Sequence, residues 1–185
     1  MRLFVAVDID DRTRGQLGAA RDAIQGVISH ARVPARVTWV RDESAHVTLR
    51  FIGEVADAML PRIHKALRRL TVTPFDVTWD TVGTFGGIRR PRVIWVGPAE
   101  VSDAFHAIDQ RVNARLDPIL GPAPPREFKP HVTLGRIKVP GKGVDWETAL
   151  AFEFPPCVTR VDHVTLYQSR LSSKGPTYTS LSTYG

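Results

Sequence analysis

The tetrapeptide His-Val-Thr-Leu occurs three times, at His46 to Leu49, His131 to Leu134 and His163 to Leu166. Polar and apolar side chains alternate in it. In an extended strand, His and Thr therefore share one face about 6.6 Å apart along the backbone, while Val and Leu point to the other. Each copy reads as a strand with one buried face and one open polar face. The repetition is more than chance provides: with six histidines and fifteen threonines in 185 residues, random placement puts Thr two positions after His in about 0.5 cases.

The segments around these copies read as a mixture of strands and helices. Leu3 to Asp8 is a short apolar strand, and Asp10 or Asp11 caps a helix with Leu17, Ala20, Ile24 and Val27 on one face. Pro34 closes that segment, and Arg36 to Arg41 and His46 to Ile52 follow as strands. Leu60, Ile63, Leu67 and Leu70 predict a second helix, capped by Asp57 with Pro61 in its first turn. Phe75 to Val82 and Arg92 to Val96 predict a long hairpin across a glycine- and arginine-rich reversal. Ser102 or Asp103 starts a third helix carrying Phe105, Ile108, Val112, Leu116 and Ile119. A proline-rich loop then delivers the strand His131 to Val139, with further strands at Phe152 to Phe154, Val158 to Tyr167 and Tyr178 to Leu181.

The length fits one domain spanning 1–185, and near-average apolar and charged fractions argue against a disordered or membrane-embedded chain. No apolar run reaches the ~18 residues of a membrane helix, and the early Asp8 interrupts any secretory core, so a cytoplasmic protein with no membrane contact is expected. The lone Cys157 excludes an internal disulfide framework and carries little weight as a nucleophile. A net charge of +6 with twenty arginines among 25 basic residues favours an anionic, phosphate-bearing partner. Gly141-Lys142-Gly143 lacks the spacing of a phosphate-binding loop, so ATP use is not expected.

Two His-x-Thr strands lying side by side bring two imidazoles and two hydroxyls to one spot. That set suffices to hydrolyse a cyclic phosphodiester: one histidine takes a proton from water, the other gives one to the departing oxygen, and hydroxyls hold the phosphoryl oxygens. Neither a metal nor another cofactor is required. His46 and His131 each follow a helix and a connecting stretch, whereas His163 has no helix of its own and reads as a structural strand residue.

With these residues in place, the chain resembles the 2H phosphoesterase superfamily, and within it the RNA 2′,3′-cyclic phosphodiesterase group related to bacterial 2′-5′ RNA ligase. The segments that carry the resemblance are Arg2 to Asp8, VRDESAHVTLRFIGE from Val40, PRVIWVG from Pro91, FKPHVTLGR from Phe128 and LYQSRLSSKGPTY from Leu166. It implies an α+β fold of two pseudo-symmetric lobes, in which two antiparallel sheets line a central cleft with helices outside. It also implies hydrolysis of a terminal 2′,3′-cyclic phosphate to a 2′-phosphomonoester, with reversible, ATP-independent 2′-5′ ligation in some members.

By the same resemblance His46 is the proton donor, His131 the proton acceptor, and Thr48, Thr133 and Arg136 contact substrate. Strict alternation points Arg136, five residues after His131, away from the imidazole, so its reach requires a bulge, a twist or the strand's end. Arg50, four residues after His46, shares the histidine face and is a further phosphate candidate. Phe128 is a candidate for stacking on a base, while Trp39 and Phe51 read as core and Arg89, Arg90 and Arg92 as solvated. The expected partners are RNA ends or nucleotides bearing a 2′,3′-cyclic phosphate, met by a monomer. The alternatives are a 2H enzyme for small cyclic nucleotides such as ADP-ribose cyclic phosphate or for 2′-5′ oligonucleotides, an RNA-binding module without turnover, and, more weakly, a metal-dependent hydrolase.

Overall fold

A computed structural model describes residues 1–151, 153, 155–172 and 175–185. Its elements are β1 (Arg2–Asp8), α1 (Asp11–Ser29), β2 (Arg36–Trp39), β3 (His46–Glu54), α2 (Leu60–Leu67), β4 (Phe75–Trp79), β5 (Thr81–Phe85), β6 (Val93–Gly97), α3 (Asp103–Leu120), β7 (Val132–Val139), α4 (Trp146–Leu150), β8 (Cys157–Val161), β9 (Val164–Ser172) and β10 (Gly175–Tyr184). They form an α+β fold with two four-stranded sheets, ordered β10-β9-β1-β3 and β2-β7-β6-β5, and a small sheet of β4 and β8. All the pairings are antiparallel.

The helix signals act as expected at two of the three starts. The Asp10 side chain accepts from Thr13 N at 2.9 Å and that of Ser102 from Phe105 N at 3.3 Å, satisfying first-turn donors. Asp57 is different: it opens a 3-10 turn without capping it, and its carboxylate instead lies 3.5 Å from the amino terminus. In α1 the buried stripe runs to Ile28, leaving Val27 exposed, because the step from Ile24 is four residues rather than three.

The expected long hairpin is corrected. Its first run breaks at Asp80, so that β5 pairs with β6 while β4 leaves to pair with β8. The run from Val158 to Tyr167 likewise splits at Asp162 and His163, sending β8 to β4 and β9 to β1. Of the strand expected at 152–154, Phe152 and Phe154 lie outside the described residues. The short α4, capped by Asp145 on Thr148 N at 3.0 Å, carried no sequence signal that we read.

Both large sheets and all four helices contribute to one buried apolar cluster. Within it, α1 packs on β7 and α3 packs on β3. Each helix thus covers a His-x-Thr strand other than the next one after it in the chain, α1 on β7 and α3 on β3, and β3 and β7 themselves come into contact. The apolar residues Val47, Leu49, Val132 and Leu134 are buried by this packing, which leaves the alternate residues His46, Thr48, His131 and Thr133 only half-buried.

Candidate active site

His46 opens β3 and His131 directly precedes β7. The two rings are held by the same device. Nδ1 of His46 donates to the Ser44 carbonyl at 2.8 Å, and Nδ1 of His131 donates to the Lys129 carbonyl at 2.7 Å. A carbonyl oxygen can only accept, so in each ring Nδ1 carries the proton and the neutral tautomer leaves a lone pair on Nε2. At His46 that nitrogen lies 3.1 Å from the Thr48 hydroxyl, which donates to it.

The rings share one electrostatic neighbourhood. Both pKa values lie below the ordinary histidine value, first because burial disfavours the charged ring. The carbonyl bonds oppose this. At His46 the Asp8 carboxylate also raises the value, while His131 and Arg136 lower it. At His131 the nearby charges are cations, Arg136, Arg126 and Lys129, and all of them lower it. Arg136 acts on Tyr178 as well, so this guanidinium of β7 stands among groups from both large sheets.

A bulge brings it there. Each motif strand carries an extra residue directly after its threonine: Leu49 is passed over between the Ala6–Thr48 and Val5–Arg50 pairs, and Leu134 between Trp95–Thr133 and Ile94–Gly135. A bulge inverts the alternation that follows. Leu49 and Arg50, and likewise Leu134 and Gly135, are then buried in succession, while Phe51 and Arg136 return to the open face. The bulge required for Arg136 to join His131 is therefore present.

The same inversion corrects three readings. Arg50 is only 6% exposed and turned inward, where its guanidinium donates to Asn113 Oδ1 at 2.9 Å and to the Gly121 carbonyl at 2.7 Å and pairs with Asp117 at 3.1 Å. Gly121 ends α3 with φ +82, a conformation suited to glycine, and its carbonyl is what Arg50 reaches. Arg50 is thus a structural tie between β3 and α3, not a phosphate contact. Arg50→Ala is expected to lower stability by about 2–4 kcal/mol, by leaving these partners unpaired. Denaturation should show that loss, with KM for substrate unchanged; a raised KM at wild-type stability would restore Arg50 to the substrate.

Phe51, read as core, is 53% exposed, with the Arg2 guanidinium 4.8 Å from its ring centroid. Phe128, read as a base contact, packs instead on Phe105 and His106 of α3, at centroid distances of 5.5 and 5.7 Å, beneath Arg126. Trp39 is half-buried against the core, as read.

Other residues surround the rings. Phe4 lies 4.8 Å from His46 and Tyr178 stands edge-on to it at 5.2 Å, with Tyr167 stacked on Phe4. Beside His46 opens a cavity of about 280 Å3, lined by Arg41, Glu43, Tyr167, Thr177 and Tyr178 among others. Around His131 stand Phe85, edge-on at 4.8 Å, and Trp95, whose ring lies under the Lys129 ammonium. Gly83 makes room for that indole, since a Cβ there would sit 2.2 Å from the ring. Arg126 donates to the Leu49 carbonyl in the first bulge and to Asp109, both at 2.6 Å. None of these residues was singled out by itself from sequence: Phe4, Phe85 and Tyr178 come from strands remote in the chain from the histidine they approach, and Arg41, Glu43, Arg126 and Lys129, within five residues of a motif histidine, fall in no pattern that marks them individually. Phe4, Arg41, Glu43, Trp95, Lys129, Tyr167, Thr177 and Tyr178 all fall within the segments that carry the resemblance, which is the signal the sequence offers for them. Cys157 opens β8 opposite Trp79 of β4 and is buried, and burial, reinforced by the Asp10 charge, pushes its thiol up to about 11, which suits a core residue.

The third tetrapeptide differs from the other two in lacking the bulge, as β9 pairs with β1 in unbroken register from Thr165 to Ser169. His163 contacts two carboxylates, Asp162 at 2.5 Å and Asp8 at 3.3 Å.

An α+β fold with a bulged His-x-Thr strand in each of two antiparallel sheets, the His131 charge acting on the His46 ring, is the architecture of a 2H phosphoesterase. Over residues 19–172 the sequence matches the model of the 2′-5′ RNA ligase superfamily, and the chain belongs to that family. It is 34% identical over 181 residues, 98% of each chain, to the Archaeoglobus fulgidus protein named RNA 2′,3′-cyclic phosphodiesterase. It is 30% identical to the protein of that name from Methanothermobacter thermautotrophicus, across 100% of this chain and 98% of the relative. Among solved structures, the TT0787 protein of Thermus thermophilus superposes with a TM-score of 0.79 at 28% identity, covering 100% of this chain and 97% of the other. E. coli LigT complexed with 3′-AMP has a TM-score of 0.74 at 24% identity, over 99% and 96%, and shares the fold.

Proposed function

We propose that this protein hydrolyses the terminal 2′,3′-cyclic phosphate of RNA to a 2′-phosphomonoester, without a metal, by acid–base catalysis between His46 and His131. The observation that carries the reading is the matched pair of Nδ1 bonds to main-chain carbonyls, which leave Nε2 of each ring for proton transfer within one electrostatic neighbourhood. Water attacks phosphorus and loses its proton to His131 Nε2. The bond from phosphorus to the 3′ oxygen breaks, and that oxygen takes the proton from His46 Nε2. Thr48, Thr133 and Arg136 hold the phosphoryl oxygens as charge builds on them.

The two roles are supported by the surrounding charges. The donor must be an imidazolium at the start, and it is His46 that has a carboxylate, Asp8, acting on it; the acceptor must be neutral, and His131 is beset by three cations. The names of the relatives point to the same substrate. Cytoplasmic residence and action as a monomer belong to this reading.

The test is incubation with a 2′,3′-cyclic-phosphate-ended oligonucleotide in chelator. A 2′-phosphate end is expected; a 3′-phosphate end, or turnover restored only by added metal, would overturn the reading. Including a cyclic mononucleotide and ADP-ribose cyclic phosphate, compared by kcat/KM, separates RNA ends from small cyclic nucleotides. The pH profile adds a second check. Because kcat/KM reports free-enzyme groups and both histidines are lowered, both limbs shift to the acid side, and the optimum should fall below about pH 6.5. Bound phosphodiester favours the imidazolium, so the alkaline limb of kcat should lie at higher pH than that of kcat/KM. An optimum of kcat/KM above about pH 7.5 would contradict the assignment.

A further inference from the structure

The proposed chemistry uses two of the three His-x-Thr copies. The third is nonetheless engaged, its histidine and its threonine both on one carboxylate. Asp8, the last residue of β1, receives Thr165 Oγ1 on Oδ2 at 2.6 Å, Tyr167 Oη on Oδ1 at 2.6 Å and His163 Nε2 at 3.3 Å. All three donors come from the third tetrapeptide or the residue just beyond it. Thr165 is completely buried, so its bond to Asp8 is shielded from competing water. On its other side β1 pairs with β3, and the residue opposite Asp8 is His46.

We infer that the third His-x-Thr copy is a carboxylate clamp that makes Asp8 a positioning residue for His46: it fixes a negative charge beside the ring that gives up a proton, and so favours the imidazolium. The inference deepens the proposed function and rests on it for the donor role. It also explains why the third copy needs no bulge, since its task is to pair flush with β1 and present its polar face to Asp8.

The charge arithmetic is consistent with this. Both ring nitrogens of His163 face carboxylates, which can only accept, so the geometry calls for a doubly protonated ring; burial opposes that charge, but Asp162 and Asp8 outweigh it and raise the pKa. Two carboxylates therefore face one imidazole. The Tyr167 phenol is pushed up by burial and by Asp8, so this donor stays protonated throughout the working range. The other titratable or charged groups around His46 are His131 and Arg136 from the β7 segment, Tyr167 from β9, Tyr178 from β10, and Arg41 and Glu43 from the turn before β3. Asp8 is the one carboxylate that acts on His46 among its leading charge partners, and it opposes the Arg136 guanidinium and the His131 ring.

The experiment is an NMR titration of the imidazole nitrogens in the full chain, comparing wild type with Asp8→Asn and with Thr165→Val/Tyr167→Phe. In Asp8→Asn the His46 pKa should fall by about 0.5–1 pH unit while His131 moves by less than about 0.2. The double variant keeps the charge but releases it, and should show a smaller fall at His46 alone. The alkaline limb of kcat should move to lower pH by the same amount as His46. An unchanged His46 in Asp8→Asn, or equal movement of both rings, overturns the inference. Should Asp8→Asn not fold, the double variant decides by the same two criteria. The titration needs no turnover, so a wild type that fails to open cyclic phosphates would overturn the proposed function while the coupling of Asp8 to His46 was still being read.

Discussion

His131→Ala is expected to lower kcat for a cyclic-phosphate-ended oligonucleotide by about 10²- to 10⁴-fold, with KM little altered, because it removes a proton acceptor used in the transition state. The fold should survive. The ring is half-buried, its Nδ1 bond goes to a carbonyl in its own loop, and Phe85 and Trp95 remain packed on each other at 5.5 Å. His46→Ala should cost a similar factor, with some added loss of stability from the space left between Phe4 and Tyr178. Since the two rings act in one proton relay, the double variant should be slower than the worse single one by no more than a few-fold. Rapid-quench or steady-state assays with circular dichroism as a fold check settle it. A kcat within about threefold of wild type for folded His131→Ala would remove His131 from the chemistry.

The second large effect is expected at Arg136. Arg136→Met keeps the side chain's length and removes its charge, and should lower kcat/KM by about 10²- to 10³-fold, the range found when one preorganised donor to a developing oxyanion is lost. It carries a signature that mere damage would not give. Arg136 lowers the pKa of both histidines, so its loss should move both limbs of the kcat/KM profile to higher pH. A drop in rate with limbs unmoved would mean that Arg136 is not beside the rings in solution; limbs moved without a drop would mean that it tunes them and does not touch phosphate.

Much of this architecture could be read along the chain, for reasons that are local. The capping of α1 by Asp10 and of α3 by Ser102 follows from side chains bonding donors three residues ahead. The shared face of His46 with Thr48 and of His131 with Thr133 follows from the two-residue period of a strand. The readings that failed were those extended past a point where that period stops. Counting places Arg50 on the histidine face, and counting cannot see that Leu49 is an extra residue in the ladder. Leu49 is accommodated there because its carbonyl is taken by Arg126 and the next side chain by Asn113, Asp117 and Gly121, all of them more than sixty residues away. The broken hairpin has the same origin: nothing local to Phe75–Trp79 says that its partner is β8.

By itself the sequence determined which segments extend or coil, which faces they bury, and that two imidazoles would be presented with a threonine beside each. Strand period, helix period and capping act over a few residues, and so are written in order along the chain. The tertiary structure alone decided that Arg136 turns toward the rings and Arg50 away from them, and that the third tetrapeptide grips Asp8. It also decided that a carboxylate, Asp8, acts on His46 while the leading charges acting on His131 are cations. Bulges, strand partners and local fields depend on groups that meet only when distant parts of the chain pack together.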